Sequence, residues 1–494
     1  MYDELKRLVK HGSIYTLGMI LTKVVSFLMI PLYTNVLKPE QYGTLELLSL
    51  SADIVSMIVG FGILAAMMRF YFISDDPKER NRVISTAILG TVAIMAVSAA
   101  ICISFARPIS QLIFHNPENT GNLRITFITM FLASFIEIPL AYLRILQKSV
   151  RFVTLSLLHF IFKLGLNILF LVFLHQGVRG VLYGNLIASI MTGSYLILST
   201  THSTGLRFNK RTYISMLLYG APLIVSDISA FVLTFSDRFF LNYYTNLTDV
   251  GIYSLAYKFG MLISMMLVSP FYQIWGARMF DIYNRPDAKE VISKVLTFFL
   301  LAGLGANLAL SVLSKDILRL MSNQDYWSAY KLVPVISLSY VINGIIYVIS
   351  VGILAQGKTK LNAFAMVIAM AANIGLNFLL IPHMGKVGAA YATLATYIIR
   401  VALIYYFSQA LFRIRYEWGK IFQLAAMSLA LIFLSQYITV NGLALSFLFN
   451  FMLIILFPIL VYFTGIFNPK EKTFIKMCLR NPFKVKELLS AGIS

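Results

Sequence analysis

Apolar runs of about twenty residues, the length a helix needs to cross hydrocarbon, recur along almost the whole chain with short polar segments between them. The pattern predicts fourteen transmembrane helices, near 12–35, 43–72, 84–106, 124–146, 153–174, 178–200, 213–236, 249–275, 293–313, 330–355, 361–382, 387–409, 419–437 and 443–466. The second run is long for one span and carries Gly60-Phe61-Gly62, where it is expected to bend. The first, Ser13 to Tyr33, leads into Pro39-Glu40-Gln41-Tyr42 with no small-residue cleavage site, so it is read as a membrane helix and not as a signal peptide.

Composition sharpens this into an all-α polytopic membrane protein. Of 494 residues, 59% are hydrophobic and 13% charged, whereas soluble domains run nearer half apolar and a quarter charged. With residues at span ends assigned to the nearer segment, the inner segments hold 27 of the 41 Lys and Arg and the outer loops hold 9. Basic residues stay on the cytoplasmic side, so both termini are expected to be cytoplasmic. Topology and anionic headgroups account for the formal charge of +20. Nucleic acid is not expected as a partner, because no segment is polar enough to fold into a basic soluble face. Cys102 and Cys478 stand in an apolar run and in the basic tail, and are expected to be unpaired.

The chain also repeats itself. Tyr33-Thr34-Asn35 recurs as Tyr244-Thr245-Asn246, Gln147 matches Gln356, Gly165-Leu166-Asn167 matches Gly375-Leu376-Asn377, and His175-x-Gly177-x-x-Gly180-x-x-Tyr183 matches His383-x-Gly385-x-x-Gly388-x-x-Tyr391. The offset stays between 208 and 211. Two units of six helices are implied; six being even, both insert the same way up, related by a pseudo-two-fold axis along the membrane normal. The expected organisation is an N-terminal lobe over 1–210, a C-terminal lobe over 211–412, two added helices over 413–467, and a basic cytoplasmic tail over 468–494.

Ionisable groups in mid-bilayer cost about 2.5–3.5 kcal/mol each on insertion scales and persist where they face a cavity or a partner. Lys23, Arg69, Lys163, Lys258 and Arg400 are the basic ones; Glu46, Asp53, Glu137 and Asp227 are the acidic ones, with Asp237-Arg238 at the outer end of span seven. The repeat sets Lys23 against Thr234, Lys163 against Asn373 and Asp227 against Thr16, so the frame is duplicated and the charges are not. Lys23, Asp53, Lys163 and Asp227 lie deep and favour a cavity. Arg69, Glu137 and Arg400 fit equally the alternative, in which charges pair or snorkel and fix packing. Glu46 and Asp53, seven residues apart, share a helical face and could bind a coupling proton or cation.

Gly352-Ile353-Leu354-Ala355-Gln356-Gly357-Lys358-Thr359 matches the phosphate-loop pattern G-x-x-x-x-G-K-[ST]. That pattern works where a strand enters the loop; here it closes a span, so no nucleotide and no other cofactor is expected. The six histidines are scattered, cysteine is scarce and no loop is long enough to enclose an active site, so the chain is not expected to be an enzyme. His175 and His383 suit a turn role beside their glycines better than metal binding.

Gly12 through Tyr42-Gly43, with Thr22-Lys23, Phe27, Pro31 and Leu37, resembles the polysaccharide biosynthesis flippases of the Wzx type, within the multidrug, oligosaccharidyl-lipid and polysaccharide exporter superfamily. Asp237-Arg238-Phe239-Phe240-Leu241, Gly251-Ile252-Tyr253 and Gly385-x-x-Gly388-Ala389-Ala390 extend the likeness, which covers about 5–410. Many members have twelve helices, so the last two depart from the pattern. The resemblance implies a two-lobed bundle in the cytoplasmic (inner) membrane that moves a polyprenyl-pyrophosphate-linked oligosaccharide to the outer leaflet by alternating access. Its implied partners are that glycolipid, the bilayer and other membrane proteins of polysaccharide assembly. An anionic headgroup would meet Lys23, Lys163 and Lys258, with Arg69 and Arg400; Glu46, Asp53, Asp227 and Asp237 would serve ion coupling or charge pairing. The competing expectations are a cation-coupled multidrug exporter of the same fold, whose cavity would be acidic and aromatic, and a membrane-embedded glycan polymerase or ligase, which typically needs a sizeable external loop.

Overall fold

The computed structural model describes residue 27 and residues 29–60, 62–438, 440, 442–469 and 471–473. Among them the regular structure is helical, without strands, as a bilayer that offers the backbone no hydrogen bonds requires. In chain order the first helices are α1 (Pro39–Gly60), α2 (Ile63–Tyr71), α3 (Pro77–Ser104), α4 (Ala106–Phe114), α5 (Thr120–Ile145), α6 (Ser149–Ile168), α7 (Gly177–Thr204) and α8 (Lys210–Tyr244). There follow α9 (Leu247–Ile263), α10 (Ser269–Tyr283), α11 (Ala288–Met321), α12 (Val333–Ile349), α13 (Val351–Ala355), α14 (Lys360–Leu411), α15 (Trp418–Tyr437) and α16 (Leu443–Phe463). Single π turns, Leu169–Phe173 and Ser264–Val268, extend α6 and join α9 to α10.

Twelve helical segments among the described residues are long and apolar enough to cross a membrane, against the fourteen expected. The 52 residues of α14 are far more than one crossing uses. Gly385, at φ 54 and ψ −134, breaks its helical path three residues after Pro382, so α14 carries both expected spans 361–382 and 387–409. The expected span 12–35 lies mostly outside the described residues, of which 29–36 are helical. The expected bend in the second span falls between α1 and α2, where Gly62 takes a left-handed φ of 59.

The chain forms two compact units. The first comprises the chain through Leu255 with Met321–Ser328 and Met366–Thr396; the second comprises Ala256–Leu320, Ala329–Ala365 and the chain from Tyr397. In the first, Met67, Ile84, Ile88, Ala141 and Met216 bring α2, α3, α5 and α8 into one buried cluster. In the second, small residues let helices close up: a β-carbon on Gly303 would meet Val341, and one on Gly344 would meet Phe299.

The repeat is visible in the backbone. The amides of Leu146, Gln147 and Lys148 donate to the carbonyls of Tyr142, Arg144 and Leu143, and those of Gln356, Gly357 and Lys358 donate to Gly352, Leu354 and Ile353. The two helix ends are the same Schellman-type cap at a constant offset of 210, with Gln147 (φ 54) and Gly357 (φ 68) at the left-handed position. Gln147 is therefore equivalent to Gly357, one residue beyond the Gln356 suggested by side-chain identity. Further on, a β-carbon on Gly180 would lie 2.9 Å from the Phe170 carbonyl oxygen, and one on Gly388 would lie 2.4 Å from that of Leu380.

The N-terminal turns of α1 and α9 touch backbone to backbone. A β-carbon on Gly43 would come 2.2 Å from the Leu247 carbonyl oxygen, and one on Gly251 would come 2.0 Å from that of Pro39. Gly43→Val should therefore force these helices apart and cost about 1–3 kcal/mol, seen as a lower melting temperature of the detergent-purified protein. Gly60→Ala, with nothing within 4 Å of the added carbon, should leave the melting temperature unchanged or raise it.

Candidate functional site

Several of the charges singled out in the sequence meet inside the first unit. Glu46 is half-buried and Asp53 exposed on α1, Glu137 is exposed on α5, and Lys163 is half-buried on α6. Asp53 lies in the electrostatic field of Glu46 and Lys163, and Glu137 in that of Asp53. Asp53 thus interacts electrostatically with Glu46, Glu137 and Lys163, all on membrane-spanning helices. His159, one turn before Lys163 and in its field, extends this set. Its Nδ1 is 2.7 Å from the Thr192 hydroxyl on α7, which itself donates to the Ala188 carbonyl at 2.7 Å. Since Thr192 spends its proton on Ala188, the His159 Nδ1–H donates to it and Nε2 keeps a lone pair. The carboxylates and imidazole of this set are groups that can take up a proton; among the described residues no cluster has the spacing to hold a metal ion.

The remaining predicted residues stand apart from it. Arg69 on α2 is exposed and places its guanidinium 4.5 Å from the centre of the Tyr219 ring. Arg400 on α14 donates from Nη1 to Asn343 Oδ1 at 3.1 Å, and its buried Nε has no hydrogen-bond partner. Among the described residues neither arginine has a carboxylate partner. Lys258 is half-buried on α9, and Asp227 is exposed on α8. Lys23 lies outside the described residues.

Asp237 belongs to a different kind of site. It and Arg238 are 2% and 1% exposed, with Arg238 Nη1 2.7 Å from Asp237 Oδ1 and 2.5 Å from the Thr234 carbonyl oxygen. The Tyr253 hydroxyl donates to Asp237 Oδ2, and Thr393 Oγ1 lies 3.5 Å from the same oxygen. The rings of Phe235 and Tyr253 flank the guanidinium at 5.2 and 5.1 Å. A buried pair satisfied on so many sides holds α8, α9 and the second limb of α14 together.

Two groups escaped the sequence reading. His159 was dismissed with scattered histidines, although its four-residue spacing from Lys163 puts both on one face. Asp316, near the C-terminal end of α11, is fully buried: Ser446 Oγ reaches both its carboxylate oxygens at 2.9 Å and Asn450 Nδ2 donates at 2.8 Å. It pins α16 to α11, and nothing in the pattern around residue 316 announces it. The phosphate-loop look-alike folds as α13, a turn at Gly357 and the start of α14. The amides of Gln356, Gly357 and Lys358, which would wrap a phosphate, are already donated to the preceding helix.

Ties among connecting segments at helix ends also lie within the first unit. Thr34 Oγ1 and Asn35 Nδ2 donate to the Met321 carbonyl at 3.0 and 3.2 Å, and the Tyr326 hydroxyl donates to that of Leu37 at 3.0 Å. Lys386 Nζ and Asp249 Oδ1 are 2.7 Å apart. The second copy of the Tyr-Thr-Asn motif does something else: Asn246 Oδ1 accepts from the Asp249 amide at 2.9 Å and caps α9.

Residues 8–275 match the family described as "Polysaccharide biosynthesis protein", and residues 222–379 match that described as "MatE". The chain is 23% identical over 275 residues to the "Probable low-salt glycan biosynthesis flippase Agl15" of Haloferax volcanii, a stretch covering 54% of this chain and 57% of that protein. It is 21% identical over 332 residues to the "Putative O-antigen transporter" of Shigella flexneri, covering 64% and 77%. Among solved structures, "Lipid II flippase MurJ, inward closed conformation" superposes with a TM-score of 0.73 at 16% identity, covering 91% of this chain and 98% of that one. An inward-facing multidrug resistance transporter of the MATE family gives 0.65 at 14% identity, covering 78% and 94%. These likenesses establish the fold as that of multi-pass helical transporters.

Arg238→Met, which leaves Asp237 as an uncompensated buried charge, should cost about 3–5 kcal/mol. The double substitution Asp237→Leu/Arg238→Met should recover much of that loss, both read from thermal unfolding in detergent.

Proposed function

Because the chain belongs to the polysaccharide biosynthesis protein family, which matches more than half of it, we propose that it is a flippase that carries polyprenyl-pyrophosphate-linked oligosaccharide from the cytoplasmic to the outer leaflet by alternating access. Two relatives are named a glycan biosynthesis flippase and an O-antigen transporter. The chain would sit in the cytoplasmic membrane with both termini inside, and it makes or breaks no bond in its cargo.

The observation that carries this reading is that Arg69 and Arg400 stand on membrane-spanning helices with no carboxylate partner among the described residues. A cation kept there, resting on a ring or an amide, is poised for an anion supplied from outside the protein. A pyrophosphate accepts forked guanidinium bonds and needs replacement of its water and counterions before it enters hydrocarbon. Lys163 in the first unit and Lys258 in the second are further cations on spans that suit such a headgroup, as Lys23 does by sequence. Lys163 lies in the field of Asp53, which Glu46 and Glu137 also share, so it also suits the coupling step, in which a proton taken up by that carboxylate changes the field at the lysine. The three carboxylates favour a second reading, a cation-coupled exporter of organic cations.

Native mass spectrometry of the purified protein with a polyprenyl-pyrophosphate glycolipid separates the two. Wild type should bind, and Arg69→Ala and Arg400→Ala should each weaken binding about tenfold or more, the loss of a charged hydrogen bond. A protein that ignores the glycolipid and binds organic cations is the exporter. Alternating access further requires the outer ties to open. Joining Asn35→Cys to Asn323→Cys, in segments that meet where the Asn323 amide donates to the Thr34 carbonyl at 3.3 Å, with a short thiol crosslinker should stop transfer in reconstituted vesicles, and reducible linkers should allow its recovery.

A further inference from the structure

The second unit contains a two-part surface that the transport reading does not use. Its lower part is a pocket of about 620 Å³ at the ends of α11 and α15, lined by Lys289, Lys294, Arg413, Arg415 and Lys420, with Glu290 and Glu417 among them. The carboxylates are spoken for: Lys294 Nζ is 2.9 Å from Glu290, and Lys420 Nζ is 2.7 Å from Glu417, whose other oxygen accepts from Thr297 at 2.8 Å. Burial pushes the Glu417 carboxyl up, but the bonds from Lys420 and Thr297 outweigh it and hold the group below its ordinary range. Lys289, Arg413 and Arg415 have no carboxylate partner among the described residues; Lys289 rests 5.3 Å from the centre of the Phe412 ring. Two helices, α11 and α15, begin here, and their N-terminal dipole ends add to a field that favours an anion.

The upper part is a groove of about 480 Å³ with a wholly apolar lining, entering the membrane between α11, α12, the end of α14 and α15. The two parts share helices turn by turn. Lys289, Ser293 and Lys294 of the pocket precede Leu296, Leu300 and Leu304 of the groove, and Glu417 and Lys420 alternate with Trp418 and Ile421. At the junction Tyr405, Tyr416 and Trp418 pack together, with ring centres 5.6–6.0 Å apart. Clustered tyrosine and tryptophan at a span end mark the headgroup level.

We propose that this surface is a binding site for an anionic phospholipid of the leaflet facing the C-terminal side, with its phosphate among Lys289, Arg413 and Arg415 and an acyl chain in the groove. By the distribution of basic residues, that leaflet is cytoplasmic. The occupant is a resident lipid and not the cargo, for two reasons. The cations lie at the headgroup level, where a phosphate stays in its leaflet, whereas transfer needs cations inside the spans. Beyond the Tyr405 and Trp418 rings the groove is lined by Leu, Ile, Val and Ala side chains, which offer a glycan nothing to bond. Most of one wall comes from α15, through Trp418, Ile421, Ala425 and Leu429, so one of the two helices beyond the repeat acquires a role as the outer wall of a lipid site.

The test is lipid retention by the full chain reconstituted in nanodiscs containing equal phosphatidylglycerol and phosphatidylcholine, then extracted into mild detergent and quantified by mass spectrometry. Wild type should retain phosphatidylglycerol in preference to phosphatidylcholine. Arg413→Gln/Arg415→Gln, two exposed changes that leave the helices intact, should lower that retention about tenfold or more, and Ala425→Phe should lower it by filling the groove. Equal retention of the two lipids by wild type, or undiminished phosphatidylglycerol on the double variant with an unchanged melting temperature, would overturn the proposal. So would retention of a polyprenyl phosphate in place of phosphatidylglycerol, lost in the same variants, since the surface would then be a cargo subsite. Inorganic phosphate at equal concentration should not displace the lipid; if it does, the acyl groove contributes nothing and the proposal fails.

Discussion

Hydrocarbon offers a peptide group no hydrogen bond, and this constraint governs where the chain can turn as well as where it can span. Within a helix the backbone satisfies itself; the cost falls on the ends. The caps at Gln147 and Gly357 fold the last amides back onto the preceding turn, so the connections there between neighbouring spans can be only a few residues long. At the opposite ends of the helices that follow, the polypeptide solves the same problem differently in its two halves. A π turn runs α6 into His175 and Gly177, whereas Gly385 redirects α14 almost without leaving helix. In both, the glycine three residues further on lets the next helix pack on a carbonyl of the one before, at Phe170 and at Leu380. The duplicated feature is the close approach, and the local path into it is free to differ.

The same solvent sorts the charges into two kinds. Asp237 with Arg238, and Asp316 with Ser446 and Asn450, are sealed from solvent and bonded to neighbours; they join helices, and their removal would be felt as lost stability. Asp53, Glu137, Arg69 and Asp227 are equally polar and lie on spans, yet they are exposed. An exposed charge on a span is tolerable where water or a ligand reaches it. The division gives a physical ground for looking for function among the second set and for stability among the first.

Much of the helical architecture was legible because span length and repeated small motifs each act over short stretches of sequence. The merging of two spans into α14 and the one-residue shift from Gln356 to Gly357 were not legible: both depend on backbone torsion, to which side-chain identity is only a guide. The candidate site divided similarly. Glu46 and Asp53 could be placed on one face from their spacing, but the company of Glu137 and Lys163 depends on how α1, α5 and α6 pack. Asp316 sits in a polar stretch that reads as an external loop, and its partners are more than a hundred residues away.

The asymmetry between the halves bears on where coupling can reside. Lys163 and Asn373 occupy equivalent places, each four residues before a fully buried asparagine, Asn167 and Asn377. On the second helix, Asn373 accepts from Ser236 at 3.1 Å and from Asn377 at 3.2 Å, and donates to Thr396 at 3.2 Å. That network is neutral and bonded, with only the buried Asn377 Oδ1 left without a partner. On the first, the same position carries an ammonium in the field of Asp53, with Glu46 and Glu137 beside that carboxylate. A protonation change in the neutral network would need groups that do not titrate, whereas one in the charged group needs only a carboxylate to gain or lose a proton near a lysine. At this pair of equivalent positions, therefore, the Lys163 side can respond to protonation and the Asn373 side cannot.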